Sequence, residues 1–296
     1  MRCGGACHTA RTGRPTPRPP ASHRPSRTVR RVLMTSDYEV LAVRYATKET
    51  KASEVYLNFH TYGEPDADLV MDYFFWVVRN GDRVVVVDTG FKPEVGEPRG
   101  RRMTCPVPEG LGRVGVDPAE VSTVVVTHGH YDHTGNLDLF PTAEVVISGT
   151  ELDFWTGPIA RRFQFAQTAE WSDIWLLQRL DAEGRVRRIN GSHQIVEGVT
   201  ALEVGGHTPG QLMVTVQGEG APVLLASDAV HYYDEVDLDR PFLFVADLPG
   251  MYEAYDVVAR IARDDAAAYV AGHDPLVLDR FTPVDDSDPS FAVRVG

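Results

Sequence analysis

Cysteine is scarce in this sequence, which holds three in 296 residues. Cys3 and Cys7 lie near the start, so Cys105 is the single thiol of the remaining chain. One thiol cannot form an internal disulfide, and this pattern is typical of proteins from a reducing compartment. We therefore expect a cytoplasmic protein.

Long apolar runs and a serine-nucleophile motif are also absent. No stretch approaches the roughly 18 apolar residues that cross a bilayer, so the sequence predicts no membrane contact. The pattern Gly-x-Ser-x-Gly, which presents a nucleophilic serine in many hydrolases, does not occur at Ser148 or Ser227. Any hydrolytic chemistry therefore has to come from other groups.

The first 33 residues lack Asp, Glu and Lys and hold eight arginines. Such a segment buries little apolar surface, so we expect residues 1–33 to be a disordered leader and residues 34–296 to form one domain. Three origins fit the leader: a targeting peptide, a nucleic-acid or membrane arm, or sequence translated upstream of a start at Met34. We favour the third, because Met34 leads directly into structured sequence.

The rest of the chain carries a large excess of negative charge. Without the eight leader arginines, 21 basic side chains remain against 42 acidic ones, a net charge of −21. A surface this negative repels phosphate backbones, so the sequence predicts no nucleic-acid partner. We expect a small-molecule partner and leave a homodimer open.

Strand-length apolar segments alternate with helical ones along the chain. Residues 72–79 and 83–88 are joined by Asn80-Gly81, which predicts a β-hairpin. Residues 91–113 are rich in Gly, Pro and Arg and predict a long loop, while Asp117-Pro118 is typical of a helix start. The order of the remaining segments predicts two sheets covered by helices.

Four potential metal ligands fall within six residues, His128-Gly-His130-Tyr-Asp132-His133. This segment follows an apolar strand, and its histidine spacing and flanking glycines favour a loop over a helix. In a loop, residues i and i+2 can converge on one ion while i+4 and i+5 turn toward a second. Imidazole and carboxylate groups suit zinc, iron, manganese or cobalt.

Three more residues of ligand type stand at the ends of apolar strands: His207, Asp228 and His273. Strand ends commonly present side chains to a site. A metal pair needs a bridging oxygen, and Asp228 is the natural candidate. A lone histidine such as His60 or His193 is more often a surface residue, but a compact cluster with three matching strand ends predicts a two-metal site.

These residues, with Gly206-His207-Thr208-Pro209-Gly210, resemble the metallo-β-lactamase superfamily in order and context over about residues 38–280. The resemblance implies an α+β fold, the αββα sandwich. It also implies two divalent transition-metal ions, zinc first, with iron, manganese or cobalt as alternatives. The implied ligands of the first ion are His128, His130 and His207. Those of the second are Asp132, His133 and His273, with Asp228 as the bridge and Asp88 in support.

Within the superfamily the sequence is most similar to N-acyl-homoserine lactonases, through Asp88–Glu94, Thr127–Gly135 and Ser227-Asp228-Ala229. The resemblance implies a quorum-quenching hydrolase that opens a lactone in a small molecule with an acyl or ester group. Class B β-lactamases carry Cys where Asp228 stands, which disfavours antibiotic hydrolysis. A glyoxalase-type thioesterase, a general esterase and a metal-binding sensor without catalysis remain alternatives.

The third residue after Asp228 departs from the lactonase pattern. Those enzymes commonly carry Tyr there, whereas this chain has His231 followed by Tyr232 and Tyr233. We expect a neutral His231, its pKa lowered by two neighbouring cations, that donates a hydrogen bond to the substrate. The alternatives are that Tyr232 or Tyr233 is the donor or that His231 only packs. Asp132 is the candidate for proton transfer to the leaving oxygen.

Aromatic residues are frequent between residues 154 and 175. Phe163, Phe165, Trp171 and Trp175 predict either a hydrophobic wall that suits an acyl chain or a packed helical layer. The sequence does not separate these two interpretations.

Overall fold

A computed structural model describes residues 37–81, 83–265 and 267–295. The predicted leader, residues 1–33, lies outside these ranges. The strands are β1 (Glu39–Lys51), β2 (Asp68–Asn80), β3 (Arg83–Val87), β4 (Arg102–Met103), β5 (Thr123–Val125), β6 (Glu144–Ser148), β7 (Val186–Ile189), β8 (Ser192–Val196), β9 (Val199–Glu203), β10 (Leu212–Gln217), β11 (Pro222–Ser227), β12 (Ala268–Ala271), β13 (Thr282–Pro283) and β14 (Ala292–Val295).

The α-helices of the described ranges vary from one turn to 17 residues. They are α1 (Ala52–Val55), α2 (Pro93–Gly96), α3 (Val107–Arg113), α4 (Tyr131–Thr134), α5 (Gly149–Thr156), α6 (Phe163–Ala166), α7 (Trp171–Ala182), α8 (Tyr233–Asp237), α9 (Leu248–Asp264) and α10 (Leu276–Arg280). None of the helices in the described ranges combines the length and apolar character needed to cross a membrane.

The larger sheet has the order β13-β14-β1-β2-β3-β5-β6-β7, with β4 paired to β1. β2 and β3 pair antiparallel with Asn80 opposite Arg83, so the predicted hairpin is confirmed. β3, β5, β6 and β7 run parallel. Their carboxyl ends therefore lie at one edge of the sheet, where loops can present polar side chains.

The smaller sheet has the order β12-β11-β10-β9-β8. β11 and β12 run parallel, and the other pairs are antiparallel. Helices α3, α5 and α7 contact the larger sheet, whereas α9 contacts β11 and β12 of the smaller one. Two sheets, each with helices packed on it, form the predicted αββα sandwich, which is confirmed.

Helix α9 shows why a helical layer covers the smaller sheet. Met251, Ala254, Tyr255 and Val258 are buried and recur at the i, i+3, i+4, i+7 spacing of one helix face. Burying each large apolar side chain contributes about 1.5–3 kcal/mol. The charged residues on the opposite face of α9, such as Asp256, remain exposed.

Two local predictions were wrong, and a third was wrong in part. Residues 91–113 do not form a bare loop but contain α2, β4 and α3, because Val107 and Leu111 are buried against the larger sheet. Asp117 starts no helix, because its Oδ1 accepts the N–H of Ala119 (2.9 Å) and holds a local turn. The segment after His130 also differs from a plain loop, since Tyr131–Thr134 forms one turn of helix.

Candidate metal centre

Strand ends from both sheets meet around one cavity, which we call the cleft. The larger sheet supplies His128 to His133 after β5. The smaller sheet supplies His207 after β9, Asp228 directly after β11, and His273 two residues after β12. The loop before His207 lies so close to α9 that a Cβ on Gly206 would be 2.7 Å from the backbone of Met251, and Gly206 has a φ of +85°. Glycine is therefore required at that turn.

The seven predicted ligands form two buried groups. In one group, the ligand atoms of His128, His130, His207 and Asp228 all lie within 4.8 Å of one another. In the other, the ligand atoms of Asp132, His133 and His273 do so. We call these the first and the second group. Each combines imidazoles with a carboxylate, the ligand types that bind zinc and related ions.

The carboxylate of Asp228 lies between the groups. Its Oδ1 is 3.3 Å from Nε2 of His133 and 3.2 Å from Nε2 of His273, both in the second group. Its Oδ2 is 3.5 Å from Nε2 of His207 and 3.7 Å from Nε2 of His128, both in the first group. Oδ2 is also 3.3 Å from Nε2 of His273, so Oδ1 faces the second group and Oδ2 lies between the two groups.

Hydrogen bonds fix which ring nitrogen faces the cleft. Nδ1 of His207 lies 2.8 Å from the carbonyl oxygen of Phe244, and Nδ1 of His273 lies 2.8 Å from that of Asp72. Since a carbonyl can only accept, both Nδ1 atoms carry the proton and both Nε2 atoms present a lone pair. This is the tautomer that a metal ligand requires.

Asp88 holds Nδ1 of His133, so that Nε2 of this ring faces the cleft, and it also anchors the loop after β5. Its Oδ2 is 2.7 Å from Nδ1 of His133 and accepts the Thr127 hydroxyl at 2.7 Å, while Oδ1 accepts the Thr127 N–H at 2.8 Å. Asp88 and Ser227 both have positive φ, 60° and 46°, at the cleft edge. Strain of this kind persists only where surrounding contacts enforce it.

Glu151 is a supporting residue that sequence reasoning missed. Its carboxylate is fully buried and accepts the N–H of Gly129 (2.8 Å), the N–H of Gly210 (2.9 Å) and the Trp155 indole N–H (2.6 Å). It therefore joins the loop of His128 and His130 to the loop of His207. The pattern Ser148-x-x-Glu151 was the available signal, but it indicates only a helix cap.

The electrostatics favour metal-ready protonation states in the first group. Burial lowers the pKa of His130 to about 4 and the pKa values of His128 and His207 well below their usual range. Burial would raise the pKa of Asp228, but the surrounding histidines hold that pKa well below normal. Neutral imidazoles around an ionised carboxylate are what a cation needs, because ligands must be deprotonated to bind it.

His133 of the second group behaves differently. Burial lowers its pKa, but the carboxylates of Asp228, Asp88 and Asp132 outweigh this effect and raise the pKa well above its usual value. The chain alone therefore stabilises a proton on this ring. A divalent cation entering the second group would displace that proton and satisfy the same carboxylates.

Unpartnered polar atoms test whether the site fits metal ions. Nε2 of His128, Nε2 of His133, Oδ1 of Asp228 and Nε2 of His231 are buried and lack a hydrogen-bond partner within the described residues. Buried polar atoms are rarely left unsatisfied, and a missing ion is one cause. All four lie in the cleft, so the donor set fits a pair of bound cations.

The three residues 231–233 have different surroundings. His231 lines the cleft cavity, with Nε2 3.2 Å from Oδ2 of Asp228 and Nδ1 3.2 Å from Oε1 of Glu235. The hydroxyl of Tyr232 donates to the carbonyl of Val70 (3.0 Å), and that of Tyr233 to the carbonyl of Tyr269 (3.3 Å). Both hydroxyls bond to backbone and neither residue lines the cavity, so the donor role of Tyr232 or Tyr233 stays a prediction that these contacts do not support.

The expected low pKa of His231 is not a property of the chain itself. Burial lowers the pKa, but the carboxylates of Glu235 and Asp228 outweigh it and raise the pKa to about 9. Sequence reasoning missed Glu235, although the i, i+4 spacing from His231 was a usable signal.

A cavity of about 270 Å³ opens onto the two groups. It is lined by His130, Asp132, His207, Asp228, His231 and His273, with Met71, Tyr73, Phe242 and Phe244 among the apolar walls. A neighbouring cavity of about 240 Å³ shares His130, Thr168, His207 and Phe244 and adds Leu57, Phe165, Leu243 and Val245. We call the first cavity the metal-facing arm and the second, for these four added side chains, the apolar arm.

The aromatic segment divides between the two interpretations. Phe165 lines the apolar arm, as a substrate wall would. Trp171 packs partly buried under the Arg161 guanidinium, which lies 3.7 Å from its ring centroid. Phe163 and Trp175 do neither, because they are 77% and 57% exposed.

Comparison with known proteins agrees with this architecture. Residues 71–273 match the model of the metallo-beta-lactamase superfamily. An N-acyl homoserine lactonase from a Bacillus species is 26% identical over 133 residues, 45% of this chain and 48% of that protein. The N-acyl homoserine lactonase AttM of Rhizobium johnstonii is 26% identical over 73% of this chain and 86% of its own length.

Solved structures show the same fold. A quorum-quenching N-acyl homoserine lactone lactonase superposes with a TM-score of 0.67 at 20% identity, covering 80% of this chain and 92% of that one. In the sequence comparison, this chain spans only about half the length of the Bacillus lactonase. Because the family model matches residues 71–273, more than half of the chain, the chain belongs to the metallo-beta-lactamase superfamily.

Proposed function

We propose that the chain is a dinuclear metal hydrolase that opens lactone rings of the N-acyl-homoserine class. The position of Asp228 carries the proposal, because its carboxylate lies within 3.5 Å of imidazoles from both groups. The names of the similar proteins support the substrate class, since the Bacillus protein and AttM are N-acyl homoserine lactonases.

Zinc is the proposed ion, with iron, manganese or cobalt as alternatives, because imidazole and carboxylate ligands suit all four. His128, His130 and His207 would hold one ion, Asp132, His133 and His273 the other, and Asp228 would bridge them. Such a pair would lower the pKa of a water molecule toward neutrality and polarise the ester carbonyl, so the reaction would need no serine or cysteine nucleophile.

Asp132 is the proposed proton carrier of the reaction. It lines the cavity, and within the described residues no hydrogen bond engages its carboxylate. Its Oδ2 lies 3.9 Å from Nε2 of His133 and 3.8 Å from Nε2 of His273. One oxygen can serve the second group while the other accepts a proton from the attacking water and passes it to the leaving alkoxide.

The apolar arm is the proposed site for the acyl chain. Phe165, Leu243 and Phe244 give it apolar walls, and it begins at His130 and His207 of the first group. A substrate whose ester lies over the metal groups would therefore extend its chain along these side chains. Burying each methylene there contributes about 0.8 kcal/mol.

The deciding experiment compares lactones of increasing acyl-chain length with thioesters of the same acyl chains. We expect ring opening at neutral pH, measured as release of one proton per turnover, to depend on bound metal and to improve with chain length. A chelator should abolish it, and added zinc should restore it. Faster cleavage of the thioesters than of every lactone would instead support the thioesterase alternative.

A substitution in the apolar arm sharpens this test. Leu243→Trp should fill the arm and lower kcat/KM for long-chain lactones about tenfold, a loss of about 1.4 kcal/mol, while short-chain lactones react normally. Leu238→Trp is the matched control, because Leu238 is 50% exposed and lines neither arm. An equal loss for short and long chains would contradict the proposed path of the acyl chain.

A further inference from the structure

Three cationic side chains line the metal-facing arm of the cleft, although the chain as a whole is acidic. They are Lys48, Arg99 and Arg101. Nζ of Lys48 lies 3.5 Å from a carboxylate oxygen of Glu54, and Nη2 of Arg99 lies 3.7 Å from one of Glu170. Among the described residues, no carboxylate oxygen lies within 4.0 Å of the Arg101 guanidinium. Arg101 is therefore the cation of this wall whose charge is left for a ligand.

The guanidinium of Arg101 is held in place and still has free donors. Its Nε donates to the Tyr131 hydroxyl (2.9 Å), and its Nη1 donates to the carbonyl oxygen of Arg99. The backbone N–H of Arg101 donates to the carbonyl oxygen of Gly96 (3.0 Å). A guanidinium carries five N–H donors, so these two side-chain bonds leave three, including both on Nη2. A charge that is already positioned loses less side-chain entropy when it binds a ligand.

Tyr131 places this guanidinium beside the proposed metal centre. Tyr131 stands between His130 and Asp132 in the sequence and is 6% exposed, and the guanidinium carbon of Arg101 lies 5.9 Å from its ring centroid. Arg101, His130 and Asp132 line the same metal-facing arm, whereas Arg101 does not line the apolar arm. A group bound to Arg101 would therefore belong to the part of the substrate next to the ester and not to the end of an acyl chain.

We propose that Arg101 is a specificity-determining residue that binds a carboxylate carried on the lactone ring, beside the ester that reacts. The inference rests on the function proposed above and deepens it by adding a charged group to the substrate. A carboxylate fits because its charge pairs with the guanidinium and its oxygens accept the free N–H groups in charge-assisted hydrogen bonds. A neutral carbonyl accepts the same donors but leaves the half-buried charge of Arg101 uncompensated.

Two lactones of similar size test this proposal. One is γ-butyrolactone with a carboxylate on its γ-carbon, and the other is the matching neutral carboxamide. Arg101→Met keeps an apolar stem of similar length but removes the charge. It should lower the ratio of kcat/KM for the carboxylate to kcat/KM for the carboxamide about 10- to 100-fold, as expected for hydrogen bonds to a charged group. The change should appear mainly in KM, because Arg101 contacts no reacting atom.

Three further variants separate recognition from support of the loop. Arg101→Gln is a second neutral variant that can still donate to the Tyr131 hydroxyl, and it should lower the ratio as Arg101→Met does. Arg101→Lys keeps the charge without the planar fork and should retain part of the preference. Arg102→Met is the matched control, because Arg102 is the adjacent arginine, is exposed and does not line the metal-facing arm. It should leave the ratio unchanged, and elemental analysis should give the same metal content for every variant.

Two results would overturn the inference while the proposed hydrolase stands. If lactones are opened but both neutral variants keep the ratio and the rates of the unaltered protein, Arg101 does not recognise a carboxylate. If these variants slow both lactones by the same factor, Arg101 only supports the loop through Tyr131. If the metal-loaded protein opens neither these lactones nor any N-acyl-homoserine lactone, the proposed function fails and this inference fails with it.

Discussion

Buried carboxylates occur in two different settings in this protein. In the cleft, Asp88, Glu151 and Glu235 each accept at least three hydrogen bonds, and Asp228 is surrounded by histidines. On α7, Asp173 is only 6% exposed, yet its Oδ2 has no hydrogen-bond partner in the described part of the chain. Burial raises the pKa of Asp173 to about 7.

This difference shows that burial of a charge does not by itself mark a functional site. A carboxylate loses its hydration when it is buried, and only donors or cations offset that cost. In the cleft the donors are present, and they fix loops and ring orientations. Around Asp173 the cost of burial outweighs the charges of Lys92 and Arg99, so ionisation there destabilises the fold. The number and geometry of the partners, rather than burial or a shifted pKa, identify the site.

Removing the central carboxylate should have the largest effect. Asp228→Ala deletes the oxygens that face both groups and leaves the histidines facing one another without a compensating charge. We expect metal content to fall well below the two ions per chain proposed for the unaltered protein, and the hydrolysis rate to fall by at least about 10²-fold. Elemental analysis and a rate assay on the same sample measure both. One ion per chain with full activity would contradict the two-metal site.

A supporting carboxylate should have a smaller effect. Asp88→Asn keeps the shape but removes the charge that holds Nδ1 of His133 at 2.7 Å. We expect the affinity of the second group for zinc to fall about 10- to 100-fold. Competition with a chelator measures this, and Asp117→Asn on the surface is the control. Equal weakening of both groups would mean that the substitution has disturbed the whole loop.

Replacing the isolated carboxylate of α7 should improve a property of the protein rather than weaken it, because the fold becomes more stable. Because the pKa of Asp173 is raised in the folded state, ionising its carboxyl lowers the free energy of unfolding. This loss is absent below the unfolded-state pKa and grows as the pH rises to about 7. Asp173→Asn should therefore raise the stability at pH 8 by roughly 2–4 kcal/mol and change little at pH 4. Thermal unfolding at both pH values measures it, with Asp256→Asn on exposed α9 surface as the control. A lower melting temperature at pH 8 would mean that Asp173 has a partner.

The smallest effect is expected from the amino-terminal segment. Deleting residues 1–33 should leave metal content, rate and melting temperature unchanged, since this segment has no apolar periodicity with which to pack on the domain. The same assays compare the full and shortened chains. A large drop in any of the three would show that the segment contributes to the domain.

Features set by local patterns could be predicted from the sequence. Asn80-Gly81 determines a hairpin through backbone conformations that its neighbours do not alter. The sequence also predicted the cluster from His128 to His133 and the placement of three more residues at strand ends, namely His207, Asp228 and His273. These predictions were possible because a strand and the loop after it form a local unit. The structure brings all seven residues to one cleft.

Features that depend on distant contacts could not be predicted. Glu151 accepts N–H groups 22 residues before it and 59 residues after it, and nothing in its own segment indicates those partners. Tyr232 bonds a carbonyl 162 residues away, so the choice between His231 and the adjacent tyrosines required three-dimensional packing. Helix α3 was hidden for the same reason, because its apolar residues pack on a strand far earlier in the chain.

Each group of the cleft draws its members from both sheets. The first combines His128 and His130 from the larger sheet with His207 and Asp228 from the smaller one, and the second combines Asp132 and His133 with His273. A cation in either group therefore cross-links the two halves of the sandwich. At a free-ion concentration a thousand times Kd, such a ligand adds about 4 kcal/mol to the free energy of unfolding. Metal supply would then govern how long the protein survives proteolysis as well as whether it can react.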